Sequence, residues 1–150
     1  ERRRGTLGAL GLGVGGGACA ALAGLGYLWL AQRVPSLADH FDEARESLSE
    51  LDPDGRRWLL VMAVLAAPLF EEFIFRGILY RGFRRSLRPP LAITSSALVF
   101  ALVHPAPTAL PVFLLALLAA SAYERTGWLA TPVAAHMTYN AIVFGSALVR

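Results

Sequence analysis

This 150-residue sequence predicts an all-α, polytopic transmembrane helix bundle, with about five membrane spans plus one amphipathic surface helix. Three observations predict it. Hydrophobic residues make up 55% of the chain and charged residues only 17%, against about a quarter charged in soluble domains. The mean hydropathy is +0.51. Long apolar runs alternate with short arginine clusters, the pattern through which membrane topology is encoded. All 14 basic residues are arginine, so no lysine nucleophile or Schiff base is available. Cys19 is the single cysteine, which excludes an internal disulfide and a cysteine-built zinc site. The pI of 9.6 invites a nucleic-acid reading, but arginines clustered between apolar runs make a poor phosphate-tracking stripe. The expected partner is the lipid bilayer, and no nucleic acid.

Residues 7–31 carry no charge and are long enough to cross a hydrocarbon core of about 30 Å. The glycines of this run let helices approach closely in lipid. Arg2–Arg4 ahead of it also fit a signal peptide, but the run is longer than the usual apolar region of one. Cys19 is expected to be a small buried apolar residue. Residues 32–56 turn acidic, with Leu37, Phe41, Ala44, Leu48 and Leu51 at helical spacing. They predict an amphipathic surface helix, N-capped by Ser36, closed by Asp52-Pro53-Asp54-Gly55, and with His40 on its solvated side.

Four further apolar stretches follow, at 57–80, 91–104, 109–123 and 128–148. Arg81, Arg84, Arg85 and Arg88 fill the first link, and Pro105-Ala106-Pro107 makes a tight turn between the next two. The arginines at the N-terminus and in the 81–88 link fall on one side and the acidic segment on the other. The positive-inside rule therefore places the N-terminus in the cytoplasm. The 91–104 and 109–123 stretches reach only about 20–25 Å and are expected to pack within the bundle or border a cavity. The chain divides into residues 1–56, one span and the acidic segment, and residues 57–150, the core. The sequence opens at Glu1 without a methionine, as a fragment or a processed product would.

Charge inside the core needs a reason. Glu71, Glu72 and Arg76 lie within the second span, where each central charge costs about 2.5–3.5 kcal/mol on insertion scales. Glu72 and Arg76 stand at i, i+4 and can pair. Glu71 points about 100° away and needs another partner. His104, at the end of the third span, and His136, in the fifth, are available. Asn140 lies one turn beyond His136, placed to hold its imidazole or share a ligand with it. Helical rise puts Glu71, Glu72 and His136 at one depth, about 12–15 Å in, and His104 at about 20 Å. A structural Glu72–Arg76 pair or a lone hydrogen-bonding histidine would each be ordinary. Two carboxylates and two histidines together in apolar helices point to a functional cluster.

Glu71-Glu72-x-x-x-Arg76, Phe100-x-x-x-His104 and His136-x-x-x-Asn140, in this order, resemble the three motifs of the CPBP intramembrane proteases. That family includes the type II CAAX prenyl endopeptidases and bacteriocin-processing or immunity proteins. The resemblance extends over residues 65–145, including Phe75-Arg76-Gly77 and Tyr123-Glu124-Arg125-Thr126-Gly127. It implies a protease core in 57–150 and an intramembrane endopeptidase acting on membrane-associated peptides, lipid-modified ones among them. By resemblance, Glu71 is the general base on water and His104 holds the same water. His136 and Asn140 donate to the oxyanion, while Glu72 and Arg76 organise the helix. The sequence departs from the family in having few spans and in placing Ala116, Ala119 and Ala120 where glycine is common.

No cofactor is the preferred expectation. The alternative is zinc on Glu71, His104 and His136, although no His-Glu-x-x-His helix is present. A non-catalytic immunity or scaffold protein of the same fold is the competing function. A proton relay is a third, and would need a longer polar path than the single layer visible here. The lysine-free, alanine- and arginine-rich composition points to a bacterial, multi-pass plasma-membrane protein.

Overall fold

Helices and short turns account for the chain in the computed structural model, which describes residues 5–148 and contains no strand among them. Arg2–Arg4, on which half of the topology argument rests, lie outside the described residues. Helix α1 (Thr6–Ala31) buries one face of small residues, Ala9, Gly13, Gly17, Ala20, Ala21 and Gly24. A Cβ at Gly13 or Gly17 would run into the carbonyl oxygens of Thr131 and Ala135, so glycine is what permits this contact. Cys19 is exposed, contrary to expectation. It lies off the buried Gly13–Gly17–Ala20–Ala21 face, and so looks outward.

Helix α2 (Pro35–Ser49) buries no residue, and Leu37, Ala38, Phe41 and Leu48 are its half-covered positions. Its N-cap is Val34, not Ser36, because Pro35 takes the first helical position that its fixed φ and missing N–H favour. His40 is exposed, as its position on the polar side predicts. The Asp52-Pro53-Asp54-Gly55 turn opens the next helix rather than merely closing this one: Asp52 Oδ1 accepts from the Gly55 N–H at 2.9 Å.

Helix α3 (Pro53–Arg84, 32 residues) carries the charged cluster. Two wide π turns interrupt it, at Met62–Ala66 and Phe73–Tyr80. The first has a visible cause. Pro68 has no N–H, so the carbonyl four residues earlier cannot be served in the usual way, and the Ala67 N–H reaches back to Met62 O.

Helix α4 (Pro89–Leu102) starts on a proline pair and is only 14 residues long. A 3₁₀ turn (Ala106–Thr108) leads into α5 (Ala109–Thr126), and the Tyr27 hydroxyl ties α1 to this turn through Pro107 O at 2.7 Å. Helix α5 runs past the expected limit of 123 because Tyr123-Glu124-Arg125-Thr126 stay helical. It ends at Gly127, whose φ of +66° and N–H bond to Tyr123 O form a left-handed cap. Helix α6 (Ala130–Leu148) completes the bundle, packed on α1, α3 and α5.

By length and composition, three helical segments are fit to cross a membrane, Thr6–Ala31, Pro53–Arg84 and Ala106–Thr126, and α4 is a shorter apolar helix. The interior is built of small residues around a few large ones. Ala97, Phe100, Val112 and Ala116 form the central cluster, with Phe75 against it. Large apolar side chains point outward, Phe70 and Leu102 among the most exposed. This inversion of the soluble pattern is what a lipid-facing surface requires.

Candidate active site

The interior of α3 holds an ion pair sealed from solvent. Arg76 Nε faces Glu72 Oε2 at 3.0 Å, with both side chains at 0% exposure. The angle falls short of a hydrogen bond, so the contact is chiefly Coulombic. The guanidinium also donates through Nη2 to Ala116 O at 3.1 Å and lies 4.7 Å from the Phe100 ring centroid, a cation–π contact. Ala116, one of the residues standing in for glycine, is fully buried.

Glu72 has a second partner that the i, i+4 spacing does not reveal. Its Oε1 lies 3.0 Å from Nδ1 of His136 on α6. A carboxylate only accepts, so Nδ1 carries a hydrogen and Nε2 is left facing away from Glu72. His104 is set in the same way. It sits in a bend beyond α4, two residues after the helix ends at Leu102, and its Nδ1 donates to Phe100 O at 2.7 Å. That bond turns the ring back along the helix and absorbs the depth mismatch expected from the helical rise.

Both Nε2 atoms converge on Glu71. Its Oε2 is 3.9 Å from Nε2 of His104 and 3.9 Å from Nε2 of His136. The oxygen itself is shielded and makes no hydrogen bond within the protein. Side-chain exposure gives the site a direction: Glu71 is 31% and His104 25% exposed, whereas His136 is 4%. Access is therefore from the Glu71–His104 side, with His136 forming the inner wall.

Asn140 does not hold the imidazole as its i+4 position suggests. Its Nδ2 donates to Ala63 O at 2.7 Å, across to α3. The π turn explains this bond. With the Ala67 N–H drawn to Met62 O and Pro68 lacking an N–H, Ala63 O has no helical partner left. Pro68 was the only sequence signal for it. For the Glu72–His136 contact the shared depth on the two helices is the only sequence signal.

Among the described residues, no group of three His, Cys, Asp or Glu side chains is arranged to hold a metal ion. Glu71, His104 and His136 are suitable donor types, and each imidazole has the second anchor typical of metal-binding histidines. Donors around tetrahedral zinc stand about 3.3 Å apart, however, so the 3.9 Å spacings would have to contract. A groove of about 850 Å³ lies away from these groups, at the Arg81–Arg85 end of α3.

Searches of curated proteins and of solved structures each return no match. The family model described as type II CAAX prenyl endopeptidase Rce1-like matches residues 53–142, more than half of the chain, from the start of α3 into α6. It spans Glu71, Glu72, Arg76, His104, His136 and Asn140, all of which follow α1 and α2 in the sequence. The chain belongs to the Rce1-like family of type II CAAX prenyl endopeptidases, and is a multi-pass membrane protein of that protease family.

Proposed function

We propose that the protein is an intramembrane endopeptidase in which Glu71 activates water against a peptide carbonyl. The observation that carries this reading is the unpartnered Glu71 Oε2 facing two imidazole nitrogens at 3.9 Å. The 3.9 Å spacings are too long for direct hydrogen bonds and within the reach of one bridging water, which enters once the shielded Oε2 is uncovered from the Glu71–His104 side. Such a water donates one hydrogen to Glu71 and the other to His104 Nε2, which leaves its lone pair free for the carbonyl carbon. Attack transfers a proton to Glu71, as general base, and charge develops on the carbonyl oxygen.

His136, on the inner wall, and Asn140, one turn beyond it on α6, serve that oxygen in this scheme. Asn140 spends one amide hydrogen on Ala63 O and keeps the other. His136 donates from Nε2 when its ring carries both protons, with Nδ1 held by Glu72. Preorganised donors of this kind are worth about 3–4 kcal/mol each in a water-poor site. Glu71 then passes its proton to the leaving amine, which closes the cycle.

The two Nε2 atoms that face Glu71 support a second reading, a zinc-dependent enzyme. Glu71, His104 and His136 would hold the ion, which would supply Lewis acidity toward water. The metal-free reading is preferred because the spacing suits water better. Membrane-associated peptides are the proposed substrates, lipid-modified ones among them. The proposed orientation keeps the Arg81–Arg88 link and the N-terminus in the cytoplasm of a bacterial cell. A cleavage assay in liposomes with and without chelator, alongside elemental analysis, tests the scheme. Chelator-resistant cleavage by zinc-free protein is expected. Cleavage that falls with chelator and returns with zinc would establish the second reading. No cleavage would favour a binding or immunity role for the same fold.

A further inference from the structure

At the far end of α3 from its Asp52 cap, three arginines lie within five residues, and only one is neutralised. Arg84 pairs with Glu124 of α5, Nη2 to Oε1 at 3.1 Å, and donates to Leu87 O at 3.0 Å. The Tyr80 hydroxyl takes the other carboxylate oxygen at 2.6 Å. Glu124 is thereby used up. Arg81 and Arg85, both exposed, make no hydrogen bond or ion pair among the described residues. They stand at i, i+4, where like charges repel.

Gly77, one turn before Arg81, shares that face and leaves its floor without a side chain. The result is the groove of about 850 Å³, lined by Gly77, Tyr80, Arg81, Arg84, Arg85 and Tyr123 among others. Its lining charges, three arginines against one glutamate, sum to +2.

The level of the groove in the membrane follows from helix length. The 32 residues of α3 extend about 48 Å, longer than the roughly 30 Å hydrocarbon core and close to the full bilayer with its headgroups. The last turn of α3 therefore lies among headgroups. Tyr123 in the groove lining, and the exposed Trp128 that follows the lining residue Gly127 in sequence, are side chains that favour this layer.

We infer that this groove binds the phosphate headgroup of an anionic phospholipid, with Arg81 and Arg85 as its cationic clamp. Paired guanidinium groups suit phosphate oxygens, and basic pockets between membrane helices at headgroup level hold such lipids. A bound headgroup would also relieve the Arg81–Arg85 repulsion and tie the end of α3 to α5. The inference is independent of the proteolytic reading, since neither arginine belongs to the Glu71 cluster.

The test is lipid binding to the detergent-purified full chain, by native mass spectrometry and by thermal shift. Probes are phosphatidylglycerol, phosphatidylcholine and inorganic phosphate. Proteins are the parent, the Arg81→Gln/Arg85→Gln double variant, and Arg57→Gln, at an exposed arginine beside Asp54 on the opposite end of α3. Phosphatidylglycerol should bind the parent and Arg57→Gln in preference to phosphatidylcholine, and bind the double variant about tenfold more weakly or worse. Equal phosphatidylglycerol binding by parent and double variant would overturn the site. So would a stabilisation reproduced in full by inorganic phosphate, which would make it a free-anion site.

Discussion

Replacing Glu72 by glutamine separates the roles of the buried network. The side chain keeps its shape but loses its charge, and Arg76 is left with 0% exposure and no ionic partner. Breaking one side of a buried pair costs about 3–5 kcal/mol. The glutamine carbonyl can still accept from either the guanidinium or His136 Nδ1, which returns about 1 kcal/mol, but it cannot serve both as two carboxylate oxygens do. The net expectation is a loss of about 2–4 kcal/mol, at least about thirtyfold in the folding equilibrium. Reversible unfolding in mixed micelles, followed by helical circular dichroism, reads it directly. Glu124→Gln is the comparison, because its pair with Arg84 is about one-third exposed and should cost about 1 kcal/mol or less. Removing both buried charges, Glu72→Leu with Arg76→Met, should recover much of the stability without restoring cleavage, since His136 has lost its anchor. A Glu72→Gln loss no larger than that of Glu124→Gln would refute the buried-network argument. Full cleavage by the stable double variant would refute the anchoring of His136.

Three further outcomes follow from the packing. Pro68→Ala restores an N–H to α3, so the π turn should close toward α-helix and compete with Asn140 for the carbonyl of the turn; protein that is as stable or more so but cleaves more slowly is expected, by unfolding and turnover measurements. Asn140→Ala leaves the part-buried Ala63 O without its donor, at a cost of about 1 kcal/mol in the same unfolding assay, with cleavage reduced as well. Gly17→Val places side-chain carbon against Ala135 O, next to His136; overpacking should destabilise by about 1–3 kcal/mol and displace α6, whereas Gly15→Val, where nothing lies within 4 Å, should be close to neutral.

Much of the fold was legible because lipid imposes a strong filter on sequence. Uncharged runs gave the positions of the helices, and Glu71, Glu72 and Arg76 stood out against them. The helix ends were less legible. Ser36 looked like a cap, but Pro35 before it claims the first turn, and Asp52 serves the helix after it rather than the one before. Cys19 came out exposed because an almost uniformly apolar α1 gives no sign of which face meets protein and which meets lipid. The Glu72–Arg76 pair was readable from i, i+4 spacing, since both ends lie on one helix. Glu72 with His136 and Asn140 with Ala63 O were not, because they depend on the rotation of α6 against α3. That rotation is set by small residues spread over α1, α5 and α6, which carry no pairwise signal in one sequence. The α1 glycines predict a packing surface, and Gly13 and Gly17 are its contact points.

The most direct measurement of the central claim is cleavage of a membrane-anchored reporter peptide in liposomes by the parent chain and by Glu71→Gln. Glu71 is one-third exposed and makes only the two 3.9 Å approaches, so its replacement should leave the unfolding transition where it is. Loss of a general base is expected to lower turnover by about 10²–10⁴-fold. Cleavage by the parent with a loss of that size in folded Glu71→Gln is the predicted result. Undiminished cleavage by the Glu71→Gln protein would contradict the account.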